Sequence, residues 1–241
     1  MMDQFGGVNA NTVFILIARA MLQRGKTRSP RGLKTLELED AVITISSPTG
    51  PNSLVTLPER GLSMDYLRGE LKWYLSGSLE VEGIAKYSKF WRALANADGT
   101  VNSNYGHYVL GGMFTEFNNN RCKGNQSQFD WCYQRLKEDP STRKAIINFN
   151  QPYHKYEENK DFVCTVSQIF RMDDAGRLVS KVYMRSNDLI YGFCYDVPFF
   201  ALVQRMMAYK LGIPFGRYQH HAESLHVYEK HFGILVSTAS H

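Results

Sequence analysis

The sequence predicts a mixed α+β fold that forms a single domain over residues 1–241, and three observations lead to it. Helical periodicity dominates the first half of the chain, and strand-length runs of β-branched and aromatic residues dominate the second. The two kinds of segment do not alternate strictly, as they would in a regular βαβ fold. Hydrophobic residues make up 44% of the 241 residues and prolines number only 8, so we expect one packed core without a linker.

Capping and stop residues set the predicted helices. The first covers residues 11–24, with Asn11 or Thr12 as its cap and Gly25 as its stop. We expect Asp196 to cap the last helix and Pro198 to lie in its first turn. The remaining helices are predicted over residues 63–75, 84–94, 127–137 and 197–211.

Runs of strand-forming residues set the predicted strands. Residues 33–38 and 41–46 are expected to pair with each other as a hairpin. The later strands are predicted over residues 144–149, 162–171, 178–185 and 217–228. The second half of the chain should therefore supply most of the sheet.

Charge and hydropathy exclude several classes of function. Lys and Arg total 28 against 23 Asp and Glu, a net charge of +5 that suits a small anionic substrate. The basic residues do not cluster as they do in nucleic-acid-binding proteins. The longest apolar run, residues 13–18, is too short to span a membrane, and the N-terminus lacks a signal-peptide pattern. We expect a soluble cytoplasmic protein with no nucleic-acid or membrane partner.

Glu70 breaks the pattern of its helix. Leu67, Leu71 and Tyr74 place it on or beside the buried stripe, where a charged carboxylate is costly. One interpretation is a side chain at the edge of the stripe that reaches solvent. The other is a buried acid suited to proton transfer or to holding a water molecule.

The cysteines are a second candidate for chemistry. Cys122, Cys132, Cys164 and Cys194 contain no CxxC pair, so free thiols are expected. Cys164 lies in the strand sequence FVCTVSQIF and is either a small core residue or a nucleophile. The second interpretation requires a nearby cation or amide donor, because the thiolate is the reactive form.

Two basic clusters could bind a phosphate. Arg185 and Ser186 lie at a strand end, with Asp188 close behind, and offer a charged fork beside a hydroxyl. Arg143 and Lys144 enter another strand as a second basic pair. Each cluster alone is also compatible with ordinary solvated surface charge.

A histidine-rich strand raises the possibility of a metal. His220 and His226 share one face of this strand, whereas His221 and Glu223 share the other. These four side chains would not converge on one ion, so no metal is expected.

In their order and spacing, these residues resemble the thymidylate synthase superfamily from about Arg24 to Phe232. The segments that carry the resemblance are E-L-x-W-Y-L with Glu70 and Trp73, the Trp91 region, N-Y-G at 104–106, Arg143-Lys144, the Cys164 strand, R-S-N-D-L-I-Y-G-F-C-Y-D at 185–196, and S-L-H-V-Y at 224–228. The resemblance implies a large twisted mixed sheet with helices packed on it.

Three departures from an ordinary thymidylate synthase resemble the pyrimidine hydroxymethylase branch. Thr165 follows Cys164 where the family has His, and Met184 precedes Arg185 where it has Gln. Asp196 occupies the position of the Asn that reads uracil in the family. A carboxyl group can accept from the cytosine N4 amino group and share a proton with N3, so Asp196 favours cytosine.

The resemblance also implies a role for each site residue. Cys164 would add to C6 of the pyrimidine, with Glu70 handling protons and Asp196 reading the base. The nucleotide would be bound by Arg28 or Arg31, by Arg185 and Ser186, by Arg143 and Lys144 from the partner subunit of a homodimer, and by His226 and Tyr228 at the sugar. The folate would be bound by Trp91, Asp188, Tyr191, Gly192 and Tyr195.

The implied activity is 5-hydroxymethylation of CMP or dCMP. The implied co-substrate is 5,10-methylenetetrahydrofolate, and water would quench the exocyclic methylene. Only nine residues follow Phe232, and we expect this short tail to admit that water. The alternatives are an enzyme that acts on dUMP, either a thymidylate synthase or a hydroxymethylase, and a non-catalytic nucleotide-binding or RNA-binding relative.

Overall fold

The computed structural model describes residues 2–111 and 126–241. The strands are β1 (Asp3–Gly7), β2 (Lys26–Arg28), β3 (Thr35–Ile45), β4 (Ile146–Asn148), β5 (Thr165–Met172), β6 (Leu178–Met184), β7 (Asn187–Asp188) and β8 (Phe215–Tyr228). The helices are α1 (Ala10–Arg24), α2 (Met64–Ser76), α3 (Glu82–Ala85), α4 (Phe90–Leu94), α5 (Tyr105–Leu110), α6 (Gln128–Glu138), α7 (Cys194–Leu211) and α8 (Phe232–Ala239). This mixture confirms the predicted α+β class.

The chain divides into two compact units. The sheet unit comprises Met1–Leu62 and Met172–His241, and the helical unit comprises Ser63–Arg171. The prediction of one domain over 1–241 stays a prediction. No helix in the described parts of the chain is both long enough and apolar enough to cross a membrane.

A mixed sheet forms the framework of the sheet unit. β3 pairs with β8 antiparallel along nearly its whole length and with β1 parallel. β8 pairs in parallel with β6 and with the short β7, and β2 pairs antiparallel with β3. Helix α7 packs against β6 and β8, and α1 packs against β3 and α8. The long β8 therefore carries many of the side chains that lie near the carboxyl end of β6.

The predicted hairpin between residues 33–38 and 41–46 is wrong. The segment is one continuous strand, β3, whose partners are β1, β2 and β8. Asp40 adopts a left-handed φ of 54° without ending the strand. The polar pair Glu39-Asp40 thus marks an irregularity inside β3 and not a turn.

The helices with strong caps confirm their predictions. The Ser63 side chain accepts from Tyr66 N at the start of α2, and Gly77 ends that helix in a left-handed conformation. Ser127 caps α6 in the same way. The cap of α1 is Asn9, whose side chain accepts from Thr12 N, so the prediction of Asn11 or Thr12 is wrong by two or three residues.

Two helix predictions need correction. The predicted helix 84–94 is two short helices, α3 and α4, separated by residues 86–89. Helix α7 begins at Cys194, directly after a π-helical turn over Leu189–Phe193. Asp196 is therefore inside its first turn and is not its cap, and Pro198 lies in the helix interior.

Candidate active site

In the helical unit, Glu70 is a buried acid. Its residue is only 4% exposed, which excludes the interpretation of a side chain that reaches solvent. The Tyr66 hydroxyl donates to Glu70 Oε1 at 2.7 Å, and Trp91 Nε1 donates to the Tyr66 oxygen at 2.9 Å. The Trp91 ring lies 5.2 Å from that of Trp73. A chain of hydrogen bonds thus links Glu70 to Trp91, a residue that sequence reasoning assigned to a different role.

Cys164 differs from the other described cysteines in its exposure. It immediately precedes β5 and is half-buried, with Sγ 3.9 Å from the Phe162 carbonyl oxygen. Cys132 and Cys194 are buried, and burial raises the pKa of each thiol to about 12. Neither is suited to form a thiolate at neutral pH. Cys122 lies outside the described residues.

The basic pair of the helical unit is on its surface. Arg143 and Lys144 are both exposed and lie in the loop before β4. The Thr142 hydroxyl accepts from the Lys144 backbone amide at 3.3 Å. Within the described part of the chain, no ion pair occupies either of these two side chains.

In the sheet unit, Asp196 is a buried carboxyl group with a perturbed pKa. Burial raises its pKa to about 7, and the nearby Asp188 acts in the same direction. The Asn187 side-chain amide opposes the shift by donating to Asp196 Oδ2 at 2.7 Å. At neutral pH, this carboxyl group can therefore both accept a hydrogen bond and share a proton.

The other end of the Asn187 side chain is also hydrogen-bonded. Its Oδ1 lies 3.0 Å from His220 Nε2, and His220 Nδ1 lies 2.9 Å from the Tyr218 hydroxyl. Asn187, His220 and Tyr218 are all buried. Burial lowers the pKa of His220 to about 3, so its imidazole is neutral across the physiological range.

An aromatic and basic cluster lies beside the π-helical turn. Asp188 Oδ1 accepts from the backbone amides of Ile190 and Tyr191 at 2.7 and 3.1 Å. The Arg60 guanidinium lies 5.2 Å from the Tyr195 ring and 6.0 Å from the Tyr191 ring. Arg60 Nε donates to the Ile190 carbonyl at 2.9 Å. Arg60 Nη2 is buried and has no hydrogen-bond partner among the described residues.

Strand register groups several predicted substrate residues at one end of the sheet. Arg28 is opposite Thr35, which is opposite Tyr228, and Asp188 is the neighbour of His226 on β8. The His226 and Tyr228 rings are 5.3 Å apart and perpendicular. Directly opposed residues lie about 5 Å apart, so the four strands β2, β3, β8 and β7 bring these polar groups together. Arg185 and Ser186 lie in the short turn between β6 and β7.

The two arginines of the early loop differ in their partners. Arg28 Nη2 donates to Glu39 Oε1 at 2.8 Å, and Lys26 bonds the other carboxylate oxygen. These two partners lower the pKa of Glu39. Arg31 lies in the turn Pro30–Gly32, is exposed, and adopts a φ of 53°. No ion pair with a described residue occupies Arg31.

The thymidylate synthase family profile matches residues 12–239 of the chain. The chain belongs to the thymidylate synthase family. Family members use methylenetetrahydrofolate as a co-substrate for one-carbon transfer. The chain is accordingly a one-carbon transferase of this family, which confirms the resemblance found in its sequence.

Phage hydroxymethylases are among the relatives of this thymidylate synthase family member. The deoxycytidylate 5-hydroxymethyltransferases of Enterobacteria phages T6 and T4 are each 29% identical over 216 residues, covering 85% of this chain and 80% of the relative. The deoxyuridylate hydroxymethyltransferase of Bacillus phage SP01 is 26% identical over 239 residues, covering 98% of this chain and 61% of the relative. The relatives thus act on both cytosine and uracil nucleotides.

One cluster on the sheet of this family member has the composition of a metal site. Ligand atoms of Asp40, His221 and Glu223 all lie within 4.8 Å of one another. The sequence argument against a metal did not consider Asp40, which comes from β3. His221 Nε2 already lies 2.7 Å from Asp40 Oδ1, so a hydrogen bond accounts for the closest of these approaches.

Sequence reasoning missed four polar residues that support predicted site residues, each within its own unit. In the sheet unit, His220 is hydrogen-bonded to Asn187, and Asn187 is hydrogen-bonded to Asp196. In the helical unit, Tyr66 is hydrogen-bonded to Glu70. Arg60 lies against the tyrosines of the π-helical turn. The only signal for Asn187 was its position between Ser186 and Asp188, and His220 was considered only as a metal ligand.

Proposed function

We propose that this enzyme transfers a one-carbon unit from methylenetetrahydrofolate to C5 of a cytosine nucleoside monophosphate, CMP or dCMP, and releases the 5-hydroxymethyl product. The observation that carries the proposal is Asp196. It stands where the family reads uracil with Asn, it is buried, and its pKa is raised to about 7. Such a carboxyl group complements the N4 donor and N3 acceptor of cytosine.

The phage relatives support the hydroxymethylase part of this proposal. Two are named for deoxycytidylate and one for deoxyuridylate, so the choice of base depends on residues of this chain. Asp196 favours cytosine because a site built for one hydrogen-bond pattern leaves buried groups unpaired with the other base. The proposal covers both the ribonucleotide CMP and the deoxyribonucleotide dCMP.

Cys164 would be the nucleophile. Its thiolate adds to C6 of the pyrimidine, which makes C5 nucleophilic toward the one-carbon unit that the folate supplies when bound. After loss of the C5 proton and of tetrahydrofolate, water adds to the exocyclic methylene, and the thiolate leaves C6. Glu70, held by Tyr66, would move protons and orient water near the base.

The sheet unit contains groups that fit a folate. Tyr191 and Tyr195 would supply aromatic rings, and Gly192 follows Tyr191 in the π-helical turn. Asp188 Oδ2 accepts no hydrogen bond within residues 2–111 and 126–241 and would face the pterin nitrogens. The unsatisfied Arg60 Nη2 would bind a carboxylate or carbonyl oxygen of the same molecule. By the family resemblance, Trp91 is a further proposed folate residue.

The two basic clusters found in the sequence would bind the nucleotide phosphate. Arg185 and Ser186 would supply a fork and a hydroxyl, and Arg143 and Lys144 would come from the partner subunit of a homodimer. His226 and Tyr228 would bind the sugar hydroxyl.

A homodimer is supported by one face of the sheet. Lys181 and Tyr183 on β6 and His221 on β8 are half-buried, whereas the alternate residues on these strands are buried. The Tyr183 and His221 rings lie 5.3 Å apart on this face. We infer that a second copy of the chain would cover this half-buried face, which carries the aromatic and basic side chains of Lys181, Tyr183 and His221.

Of the early-loop arginines, Arg31 is the better phosphate ligand. Arg31→Ala should raise the KM for the nucleotide about tenfold, as expected for a lost charge-assisted hydrogen bond. Arg28→Ala should raise it no more than about twofold, because Glu39 already occupies that side chain. Steady-state kinetics with varied nucleotide would measure both. Equal effects of the two substitutions on KM would contradict the prediction that Arg31, rather than Arg28, binds the phosphate.

The proposed function is tested by turnover of CMP, dCMP and dUMP under one set of conditions with methylenetetrahydrofolate. We expect release of tritium from the C5-labelled cytosine nucleotide together with a 5-hydroxymethyl product. Methylated product from dUMP would instead identify a thymidylate synthase, and hydroxymethylated dUMP the activity named for the SP01 relative. If none of the three nucleotides releases tritium, the proposed function fails, and the protein would be the non-catalytic nucleotide-binding or RNA-binding relative.

A further inference from the structure

Three buried residues form a directed chain of hydrogen bonds that ends on Asp196. The chain runs from Tyr218 to His220 to Asn187, over distances of 2.9 and 3.0 Å, and reaches Asp196 Oδ2 at 2.7 Å. His220 is 0% exposed, and its ring packs edge-on against Phe193 at 5.5 Å. We name Asn187, His220 and Tyr218 the relay.

The polarity of the relay is fixed by chemistry. The Asn187 amide donates to Asp196 Oδ2, so its amino group faces Asp196 and its carbonyl oxygen faces His220. The neutral imidazole of His220 then carries its proton on Nε2, which leaves Nδ1 to accept from the Tyr218 hydroxyl. Every donor in the relay therefore points toward Asp196.

The bond from Asn187 differentiates the two oxygens of Asp196. Oδ2 is occupied as an acceptor, so a proton on this carboxyl group belongs on Oδ1. The fit around the bond is close. A Cβ atom at Gly192 would lie 2.5 Å from Asn187 Nδ2 and 3.2 Å from Asp196 Oδ2, so only glycine leaves the pair undisturbed.

The position of that proton distinguishes the two bases. A carboxyl group reads cytosine when its proton faces N3 and its bare oxygen faces the 4-amino group. The same carboxyl group reads uracil when its proton faces O4 and its bare oxygen faces N3–H. One acid could serve both bases, and the arrangement of its proton decides between them.

We propose that the relay is a set of positioning residues that confines the proton of Asp196 to Oδ1, with Oδ1 facing N3, and thereby makes the site selective for cytosine over uracil. This inference rests on the proposed function, since it concerns how Asp196 discriminates between bases. It assigns specificity to residues that need not touch the substrate.

The test compares kcat/KM for a cytosine nucleotide with that for the matching uracil nucleotide. Asn187→Leu removes the donor and should lower the cytosine-to-uracil ratio about ten- to a hundredfold, the effect of one lost hydrogen bond to a charged group. His220→Leu should lower it about fivefold or more. His220→Gln keeps an amide donor near the position of Nε2 and should restore the ratio to within about twofold of wild type.

A ratio of two substrates on one enzyme is insensitive to loss of folded protein, because both substrates meet the same folded fraction. Tyr218→Phe keeps the core filled and should change the ratio less than His220→Leu does. Its matched control is Tyr108→Phe, because Tyr108 is buried and its hydroxyl also lies 2.9 Å from a histidine nitrogen, that of His154. This control should leave the ratio unchanged.

The outcomes separate this inference from the proposed function. If wild type turns over no cytosine nucleotide, the proposed function itself fails. If wild type prefers cytosine but Asn187→Leu and His220→Leu keep its ratio, the relay does not set the specificity. Equal ratios for His220→Gln and His220→Leu, both below wild type, would also overturn the inference, because they would reduce His220 to a packing role.

Discussion

Replacing Cys164 by serine should lower turnover of the cytosine nucleotide by about 10⁴-fold or more, because a serine hydroxyl is a far weaker nucleophile at neutral pH than a thiolate. The dissociation constant for the nucleotide should change little, since the two side chains differ by one atom. No other described thiol can replace Cys164. Burial raises the pKa of Cys132 and Cys194 to about 12.

The covalent step can be observed directly. A 5-fluorocytosine nucleotide cannot lose its C5 substituent as a proton. With methylenetetrahydrofolate it should therefore trap a covalent adduct on the wild-type enzyme, and mass spectrometry should locate this adduct at Cys164. Cys164→Ser should trap none. Cys132→Ala is the matched control, because Cys132 is buried in α6 and should keep both turnover and adduct. Adduct formation by Cys164→Ser would remove Cys164 from the mechanism.

Local signals in the sequence were sufficient where one residue decides a boundary. Ser63 and Gly77 predicted both ends of α2 because an N-cap hydroxyl and a left-handed glycine act within a single turn. The same reasoning failed for β3, where Asp40 resembles a turn residue but its neighbours Glu39 and Ala41 both pair with β8 and so continue the strand. Partners distant in sequence override a local preference.

The candidate site also contains residues that the sequence identified and residues that it did not. Side-chain chemistry singled out Cys164 and Glu70 as candidates in the sequence, and the family resemblance added Asp196. It could not find the groups that hold them, because Asp196 depends on Asn187 and on His220, which lies 24 residues beyond it in the chain. The capping role predicted for Asp196 was wrong for a related reason. The π-helical turn before α7 moves the start of that helix to Cys194, and no local residue pattern announced the turn.

Asp196→Asn should reverse the choice of base and change the pH dependence of stability. Asn presents an amide that matches uracil, so the cytosine-to-uracil ratio of kcat/KM should fall by about a hundredfold or more. Activity on dUMP should rise from the wild-type level. Kinetics on both nucleotides with the purified variant would measure this change. An unchanged ratio would mean that Asp196 does not read the base.

The effect on stability follows from the raised pKa of Asp196. Folding moves that pKa from 3.8 up to about 7, so the native state holds a proton that the unfolded chain has released over this interval. The native state therefore loses stability as the pH rises from about 4 to about 7. Above about pH 7, Asp196 is ionised in both states, and its titration causes no further loss of stability. An Asn at position 196 does not titrate and carries no such cost.

Urea unfolding of wild type and Asp196→Asn at pH 5 and pH 8 isolates this contribution. The free energy of unfolding of the variant minus that of wild type should be larger at pH 8 than at pH 5 by about 3 kcal/mol, which means that the variant is relatively more stable at pH 8. Changes in packing and hydrogen bonding that do not depend on pH cancel in this comparison. The titration of His220, whose pKa of about 3 makes the folded protein more stable as pH rises toward 6.5, is common to both proteins and also cancels. Equal differences at the two pH values would show that Asp196 is not held as a buried acid, and the argument for cytosine would then lose its physical basis.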